Sequence, residues 1–548
     1  MTSLKPKLGS NKVYSPREIE HLIASGLTVV IYDQTVLKLD QWLKFHPGGD
    51  KAVFHMVGRD ATDEMNAYHS EDSIKIFKSF KIGIIDYLWE NMVPPIQGGK
   101  YRKIDSDFFY NKDLVGQVGP EINPKIKQGL VLTKDMKDQY PILDNAIRDP
   151  KLVIENYDNI LVKHDLYSIP SLDYTTQREL SKKYNELQER IQLAGLYECP
   201  YIEYFHQFCI NLTLAMFSAI FFKIKHYFLS ALLLGIFWQQ LVFIAHDAGH
   251  ISITHNYQID NIIGILIADW IGGLSIGWWK RNHNVHHLVT NDPVHDPDIQ
   301  HLPFFCVSTV LFGNIYSTYY EKFLWFDKFA QFLIPIQHYM YYPILCFGRF
   351  NLYRLSWEYL LKGQGPKHGK AAWFRYFELA GLSFFTYWFF YLLVGSLPTK
   401  WDKFQYIMVS HVATMIVHVQ ITLSHFAMST SDLGTSESFV SRQLRTTMDV
   451  DCPEWFDFFH GGLQYQAIHH LFPRLPRHNF RKAQKFIIDF CKNTGLKYSI
   501  YGFVDGNGVV LHKLKDIAKQ ATILGECLSD MSQSKNKYEK KVESALLQ

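Results

Sequence analysis

Three short histidine clusters limit most strongly how this chain can fold and what it can do. They occupy residues 246–250, 283–287 and 466–470, where spacings of three and four residues place side chains on one helix face. A single buried histidine is usually a core residue, but seven in three clusters are too many for that explanation. The seven are His246, His250, His283, His286, His287, His469 and His470. We therefore predict that distant parts of the sequence meet around a metal centre.

The chemistry of these donors favours two iron ions. Neutral imidazoles suit iron, zinc and copper, whereas carboxylate-rich sites suit magnesium, calcium and manganese. The clusters contain no Glu-x-x-His pair, so nitrogen ligands dominate. More than four nitrogen donors exceed a single tetrahedral zinc site, and two irons fit better. Beside a one-electron donor, such a site would activate O2 and oxidise an unactivated carbon–hydrogen bond.

Apolar stretches around the clusters predict an integral membrane protein. The sequence is 47% hydrophobic and 15% aromatic, yet a mean hydropathy of -0.10 leaves much of the chain in water. Four stretches are long and apolar enough to span a bilayer: 204–222, 227–245, 375–395 and 404–424. The formal charge of +3 gives no reason to expect a nucleic-acid partner.

Two more apolar stretches, 259–279 and 329–349, are predicted not to cross the membrane. Asp269 interrupts the first of them and Pro335 the second. If the first crossed, His283 would lie on the opposite side from the 246–250 cluster, and the centre could not assemble. We therefore expect it to be interfacial or re-entrant, which leaves four spans.

Residues 13–88 predict a small soluble domain that holds a haem. Short apolar runs predict strands, and residues 45–50 read Phe-His-Pro-Gly-Gly-Asp. The proline and paired glycines make a tight turn beside His46, and His69 follows later. Two histidines on opposite walls of an apolar slot supply both axial ligands of a haem, which suits electron transfer. The segment resembles a cytochrome b5 domain, with His46 and His69 matching its axial ligands.

The residues next to this domain suggest what it contacts. Acidic side chains bracket His69 and either dock a basic reductase or form a solvated rim. They are Asp60, Asp63, Glu64, Glu71 and Asp72. A linker begins near residues 94–99, and the helical periodicity of 173–193 predicts an amphipathic helix on the membrane surface or against the catalytic domain.

The remaining segments set the compartment and the two ends of the chain. Seven scattered cysteines without a Cys-x-x-Cys pair predict free thiols in a reducing compartment. Residues 1–11 are polar, so we expect no cleavable signal peptide and a cytosolic N-terminus. Residues 478–525 are expected to form a cytosolic α/β-like end, and the lysine-bearing tail 532–541 to be disordered.

The three clusters in this order, with a fused haem domain, resemble the front-end membrane fatty-acyl desaturases over most of residues 13–500. The resemblance implies that all seven clustered histidines ligate iron. Gln466 stands where the family replaces the first histidine of its third cluster. His425 matches a further family histidine after the last span, and both a ligand and a structural role remain open for it. Ile468 replaces a glutamate found in many relatives, which affects the subgroup but not the chemistry.

Several polar residues near the clusters are candidates for orienting the metal ligands through hydrogen bonds, without binding the metal themselves. Hydrogen-bonding or capping roles are the alternative for each of them. These residues are Asp247, His255, His295, Asp296 and Asp298.

The resemblance implies a four-part organisation. An N-terminal α+β cytochrome b5-like domain (1–90) is followed by a linker and amphipathic pre-membrane region (91–200). An all-α integral membrane desaturase domain (201–500) then carries about four transmembrane helices and a cytosolic histidine-rich di-iron cap. A C-terminal end and tail (501–548) complete the chain.

The overall pattern is most similar to fungal sphingolipid delta-8 desaturases, which introduce a trans double bond into the long-chain base of a ceramide. This similarity implies haem b, two iron ions and O2 as co-substrate. It also implies NADH-cytochrome b5 reductase as the electron source, because the chain lacks an adenine-binding signature. The expected location is the endoplasmic reticulum membrane, with the haem domain and the histidines facing the cytosol.

Four alternatives stay open at this point. A delta-6 or delta-5 fatty-acyl desaturase, or a lipid hydroxylase, would use the same ligands and differ only in product. A transporter with a histidine proton relay would place ionisable residues within its spans, whereas these clusters lie at span ends or in polar segments. A membrane-anchored electron carrier would need one anchor and no second set of histidines.

Overall fold

The structure is a computed structural model that describes residues 12–99, 101–104, 107–110 and 150–546. The predicted polar N-terminus, 1–11, and the part of the predicted linker at 111–149 lie outside the described residues.

The N-terminal domain is a three-stranded antiparallel sheet packed with four short helices. Its elements are α1 (Pro16–Ala24), β1 (Val29–Tyr32), β2 (Thr35–Lys38), α2 (Asp50–Phe54), α3 (Thr62–Tyr68), α4 (Glu71–Phe77) and β3 (Lys81–Ile84). Strand β2 lies in the centre and pairs Leu37 with Val30. A two-residue turn at Asp33 and Gln34, both with positive φ, joins β1 to β2 and matches the twist of a hairpin. The expected α+β domain is confirmed.

A hairpin and two helices connect this domain to the membrane part. They are β4 (Tyr101–Ile104), β5 (Asp107–Tyr110), α5 (Pro150–Ser168) and α6 (Tyr174–Leu193). Helix α6 buries Leu180, Tyr184, Leu187 and Ile191, which share one helix face. The predicted amphipathic helix therefore exists, and its apolar face packs against the C-terminal part of the chain.

The membrane part contains the longest apolar helices. Its elements are α7 (Tyr201–Lys223), α8 (Tyr227–Gly249), α9 (Tyr257–Ile265), α10 (Ile276–Leu288), β6 (Ile315–Ser317), β7 (Lys322–Leu324), α11 (Lys328–Leu333), α12 (Gln337–Leu345), α13 (Gly348–Lys362), α14 (Phe374–Phe385), α15 (Lys400–Val412) and α16 (Met415–Phe426). Four helical segments are long and apolar enough to cross a bilayer. They are Tyr201–Lys223, Tyr227–Gly249, Gly369–Val394 and Lys400–Phe426. Three of them contain a predicted span, and Gly369–Val394 covers the predicted span 375–395 except for its last residue.

The segment between the first two clusters turns back on itself. Helix α9 continues as a π-helix, Leu266–Ile271, and then meets α10 at 116°. Gly273 makes the turn with φ of 73°, and a Cβ there would come within 2.3 Å of the Phe385 ring. The histidines before and after this segment meet in one cluster, so the segment begins and ends on the same side, as predicted for a re-entrant stretch.

The C-terminal part covers that side of the membrane domain. Its elements are α17 (Phe439–Thr446), β8 (Asp449–Asp451), α18 (Asp457–His460), α19 (Gln466–Leu471), α20 (Phe480–Thr494), β9 (Ile500–Gly502) and α21 (Phe503–Leu546). Only β8 and β9 form strands here, so the expected α/β-like end is mainly helical. Helix α21 continues through the tail that was predicted to be disordered. It is anchored because Val510, Leu514 and Ile517 are fully buried along one of its faces.

Candidate metal centre and haem site

Two histidines of the N-terminal domain face each other across an apolar slot. His46 follows a 3-10 turn, and His69 ends α3; their ring centroids are 6.1 Å apart. The Nδ1 atom of His46 bonds to the Gly49 carbonyl (2.6 Å), and that of His69 bonds to the Met65 carbonyl (3.0 Å). These bonds fix the tautomers and leave each Nε2 free to bind a metal.

The surroundings of the two histidines fit a haem. Val53, Met65 and Phe77 belong to the buried apolar cluster beside the rings. A Cβ on Gly48 would come within 2.9 Å of the His46 ring, so the turn needs glycine there. Two opposed imidazoles in an apolar slot have the donor arrangement that a bis-histidine haem site needs.

The histidines of the membrane part assemble into two adjacent groups. In each group the possible ligand atoms all lie within 4.8 Å of one another. The first group comes from α8, α10 and α19 and consists of His246, His250, His283 and His469. The second comes from α10, α16 and α19 and consists of His286, His425 and His470.

His287 lies between the two groups. Its ring centroid is 4.5 Å from that of His283 and 4.0 Å from that of His470. All seven clustered histidines are therefore in one centre, together with His425, whose ring is 4.5 Å from that of His286. The Gln466 side chain lies close to His425, which places it at the second group.

The ring nitrogens of this centre lack the partners that buried groups need. Five rings have a buried nitrogen with no hydrogen-bond partner among the residues that the structure describes. Leaving one buried polar group unpaired costs about 1–3 kcal/mol, so five in one place call for ligands from outside the protein. Metal ions satisfy nitrogen atoms in this arrangement, and two groups fit two ions. The five rings are His250, His287, His425, His469 and His470.

Buried carboxylates orient part of the centre. Asp296 is fully buried, and its Oδ2 is 2.8 Å from His286 Nδ1. A carboxylate oxygen of Asp298 and one ring nitrogen each of His283 and His286 lie within 4.8 Å of one another. These two aspartates occupy the orienting positions expected for them, since a metal-binding histidine usually bonds its second nitrogen to a carboxylate or carbonyl.

Asp247 and Arg477 form a buried pair at the end of α8. Arg477 is 2.9 Å from Asp247 Oδ2, and the Tyr204 hydroxyl donates to the same oxygen at 2.6 Å. Asp247 Oδ1 is 4.0 Å from His246 Nδ1. Asp247 thus fixes the end of the helix that carries the first cluster.

His255 and His295, the other two candidates for orienting the ligands, make hydrogen bonds away from the metal centre. His255 bonds to the main-chain carbonyls of Ile251 and Tyr197, so it holds a turn. His295 bonds to the Thr318 hydroxyl at 3.1 Å, and its ring is 5.6 Å from that of His55 in the haem domain. The hydrogen-bonding role is therefore the correct interpretation for both.

Gln443 and Asp449 also position the centre, although sequence reasoning missed them. The Gln443 amide oxygen accepts from His470 Nδ1 (2.9 Å), and its nitrogen donates to the His287 carbonyl (2.8 Å). Asp449 accepts from the Ala467 N–H at 2.8 Å and so holds the start of α19. Burial raises the pKa of Asp449 to about 7. Neither residue belongs to a motif, so only the tertiary structure identifies them.

The haem domain docks directly on the metal centre. Tyr68 precedes the haem-site residue His69, and its ring meets the His287 ring edge-on with centroids 5.8 Å apart. Asn284, between the ligands of α10, donates to the Gly48 carbonyl at 3.3 Å. Lys51 donates to the carbonyl of Tyr319 at 2.8 Å. The two sites are neighbours within one chain.

Two of the five acidic residues near His69 are buried, whereas Asp60, Glu71 and Asp72 are exposed. Asp63 and Glu64 are only 6% and 9% exposed, because α6 covers them. Asp63 Oδ1 accepts from Ser181 (2.7 Å) and Asn185 (2.8 Å) of that helix. Asp63 thus binds the protein's own helix, and burial excludes both a reductase surface and a solvated rim for Asp63 and Glu64. Both interpretations stay open for the three exposed residues.

Fold and site together define a membrane metalloprotein with its own haem domain. The family model described as fatty acid desaturase matches residues 225–502. A model described as cytochrome b5-like heme/steroid binding domain matches residues 15–86. The chain belongs to the fatty acid desaturase family, and it is an oxidoreductase with a fused cytochrome b5-like domain. The family implies iron at the histidine centre, and the fused domain implies haem.

The chain is also similar to relatives of nearly the same length. It is 62% identical over 539 residues to a delta 8-(E)-sphingolipid desaturase of Komagataella phaffii, covering 97% of this chain and 99% of the relative. A delta 8-(E)-sphingolipid desaturase of Emericella nidulans is 52% identical, with coverage of 95% and 97%. A delta(8)-fatty-acid desaturase of Arabidopsis thaliana is 35% identical over 91% of each chain.

Proposed function

We propose that this protein is a delta 8-(E)-sphingolipid desaturase. It introduces a trans double bond at carbon 8 of the sphingoid base of ceramides, with electrons that arrive through its own haem domain. The support is the histidine centre next to a haem-type ligand pair, together with the names of relatives that are 52–62% identical over nearly the whole chain.

The proposed ligands follow the two groups of rings. His246, His250, His283 and His469 would hold one iron, and His286, His425 and His470 would hold the other, with His287 between the two groups. Gln466, which lies near His425, would be a further donor at the second group. His46 and His69 would hold the haem iron. When bound, the irons of the centre supply O2 activation, and the haem supplies electrons one at a time.

The protein's own residues contribute order and enclosure. Asp296 and Gln443 fix the rings of His286 and His470, so the donor nitrogens are aimed before any ligand arrives. The centre is almost entirely buried: His287 and His470 are fully inaccessible to solvent. Excluding water protects a strong oxidant from side reactions. Desaturation removes two hydrogens from the lipid and reduces O2 to two waters, which requires two electrons and two protons from outside.

The electron source in this proposal is NADH-cytochrome b5 reductase. Because α6 covers Asp63 and Glu64, this reductase approaches a different edge of the haem domain or acts while the domain is released. The proposed location is the endoplasmic reticulum membrane, with the haem domain and the histidine centre on the cytosolic side, where reduced thiols and the reductase are found.

Lipid mass spectrometry tests the proposal directly. Cells that lack this lipid chemistry would express either the natural chain or His287→Ala. We expect a loss of two mass units on the sphingoid base of ceramides with the natural chain and no change with the variant. His512→Ala is a matched control, because His512 is exposed on α21 and bonds only to a backbone carbonyl of its own helix.

Other products would overturn specific parts of the proposal. Loss of two mass units from fatty acyl chains would make the protein a fatty-acyl desaturase with the same mechanism. A gain of one oxygen would make it a lipid hydroxylase. An unchanged lipid profile with the natural chain would contradict lipid oxidation altogether.

A further inference from the structure

A second site lies beside the metal centre, between the haem domain and the membrane domain. A cavity of about 680 Å³ is lined on one side by the turn that carries His46 and on the other by α9, α10, α13 and α14. This volume lies within the range of small-molecule sites. The mechanism above makes no use of this cavity.

The inner wall of the cavity carries buried polar groups. Glu378 on α14 is 3% exposed and Tyr359 on α13 is 4% exposed. One carboxylate oxygen of Glu378 accepts from the Ser275 hydroxyl (2.5 Å) and from the Gly277 N–H (3.0 Å) at the start of α10. Tyr359 lines the cavity. Its hydroxyl can therefore donate to or accept from a ligand bound there.

Gly277 keeps the space in front of these groups open. A Cβ at this position would lie 2.6 Å from Glu378 Oε1 and 3.0 Å from the Tyr359 hydroxyl. Both polar atoms therefore border the same small volume, and Asp269 lies behind them, where it accepts from the Ile276 N–H (3.3 Å). The volume presents one acceptor oxygen and one hydroxyl that can donate or accept.

Three of the cationic side chains that line the cavity are held by protein groups. Lys280 donates to the Asn261 side chain at 2.9 Å. Arg281 is paired with Asp50 at 3.2 Å, and Lys362 with a glutamate outside the cavity at 2.6 Å. Lys44 and Lys367 also line the cavity. At the inner wall, however, the groups that face a ligand are the Tyr359 hydroxyl and the Glu378 carboxylate, which match hydroxyl and amide groups better than phosphates.

The distance from this wall to the metal centre fits oxidation close to a lipid headgroup. On α10, Gly277 and Lys280 precede His283 by six and three residues, which is about 9 and 4.5 Å along the helix. An extended chain advances about 1.2 Å per bond. In a sphingoid base, carbon 8 is about five bonds from carbon 3 and about seven bonds from carbon 1, so these distances are about 6 and 8 Å. A headgroup held at this wall therefore brings carbon 8 of a sphingoid base level with His283.

We propose that this cavity binds the hydroxyl and amide headgroup of a ceramide, with the Tyr359 hydroxyl and the Glu378 carboxylate as its hydrogen-bonding partners. The inference rests on the proposed function, because it names the part of the chain that selects that substrate. The haem domain closes one wall of the cavity, so headgroup binding and haem-domain docking take place at the same surface.

Equilibrium binding tests the site without turnover. The full chain, loaded with its metals and oxidised, would be titrated in lipid nanodiscs with a ceramide and with its analogue that lacks the 1- and 3-hydroxyls. We expect the natural chain to prefer the ceramide, and Tyr359→Phe to weaken ceramide binding about five- to tenfold, the effect of one lost hydrogen bond. Binding of the deoxy analogue should be unchanged by Tyr359→Phe.

Two further variants keep the test decisive. Tyr406→Phe is the matched control, because Tyr406 is a buried tyrosine outside the cavity whose hydroxyl lies 3.0 Å from Ser230 Oγ. It should bind both lipids like the natural chain. Glu378→Gln keeps the shape of the side chain and should also reduce the preference for ceramide.

The outcomes separate this inference from the proposed function. If the natural chain desaturates ceramide while Tyr359→Phe and Glu378→Gln keep full affinity and preference, the headgroup site is overturned and the function stands. If the natural chain neither binds nor desaturates ceramide, both fail. Tight binding of an acyl coenzyme A at the cavity in place of ceramide would also overturn the headgroup assignment.

Discussion

The haem-type site and the histidine centre use the same side chain in opposite ways. His46 and His69 lie 23 residues apart in one small domain, and both are oriented by main-chain carbonyls. The eight rings of the other centre come from four helices, α8, α10, α16 and α19, and side chains such as Asp296 and Gln443 orient two of them. The first site depends on a local turn and the second on the whole membrane domain. We therefore expect the two sites to respond independently to mutation.

The largest expected effect is that a mutation in either site removes the metal of that site and leaves the metal of the other site in place. His470→Ala should remove iron from the histidine centre and abolish desaturation, while the haem absorbance of the purified protein is retained. His69→Ala should remove haem and retain the iron, because the candidate ligand groups of the second centre consist of residues outside the haem domain. Metal analysis and the haem absorption spectrum measure both losses on one sample. Loss of both metals in either variant would contradict the independence of the sites.

A smaller effect is expected from changing Asp296, which orients a candidate metal ligand without belonging to either ligand group. Asp296→Asn removes the charge that faces His286 Nδ1 and should lower iron affinity or turnover about 10- to 100-fold, the usual effect of such a partner. The haem spectrum should not change. Iron content after dialysis against a chelator measures the affinity. A variant that holds iron like the natural chain would show that the backbone alone positions His286.

Electron transfer from the haem to the histidine centre should depend on the aromatic ring of Tyr68, which lies between the two sites. Its hydroxyl is buried and has no partner among the described residues, so Tyr68→Phe should behave like the natural chain. Tyr68→Leu removes the ring that meets His287 and should slow reoxidation of the reduced haem severalfold in the presence of O2 and lipid. Stopped-flow absorbance follows this step, and reduction by the reductase is the control. Equal rates for phenylalanine and leucine would exclude a role for the ring.

The smallest effect concerns how haem-domain docking depends on pH. Burial against α6 raises the pKa of Asp63 to about 6 and that of Glu64 to about 7, whereas exposed carboxyls titrate near 4. The docked state therefore binds protons more tightly, so docking is strongest near pH 4 and weakens as pH rises through 6 and 7. Hydrogen exchange of residues 174–193, corrected for intrinsic rates, should show falling protection across this range.

Asp63→Asn should reduce this pH response, because it removes one of the two titrating groups. Asp72→Asn is the control, since Asp72 is exposed and pairs only with Lys75 of its own helix. Protection that increases with pH, or an unchanged response in Asp63→Asn, would contradict the explanation.

Much of this architecture could be predicted because local patterns carry it. Apolar length predicted the four spans, and the requirement that His283 rejoin the 246–250 cluster predicted the turn between α9 and α10. The tail 532–541 was predicted to be disordered, but it belongs to α21, a helix that is anchored further upstream by the buried side chains Val510, Leu514 and Ile517. Asp63 and Glu64 were misassigned because a sequence shows the charge of a side chain but not whether the fold buries it.

The sequence by itself determined which residues can bind metal and how many spans carry them, since helix periodicity and apolar length are properties of short segments. Only the tertiary structure decided that His425 joins the second group and that Gln443 orients His470. It alone placed Tyr68 against His287 and opened a cavity in front of Tyr359. These contacts join residues that are far apart in the chain, and their geometry depends on how whole helices pack.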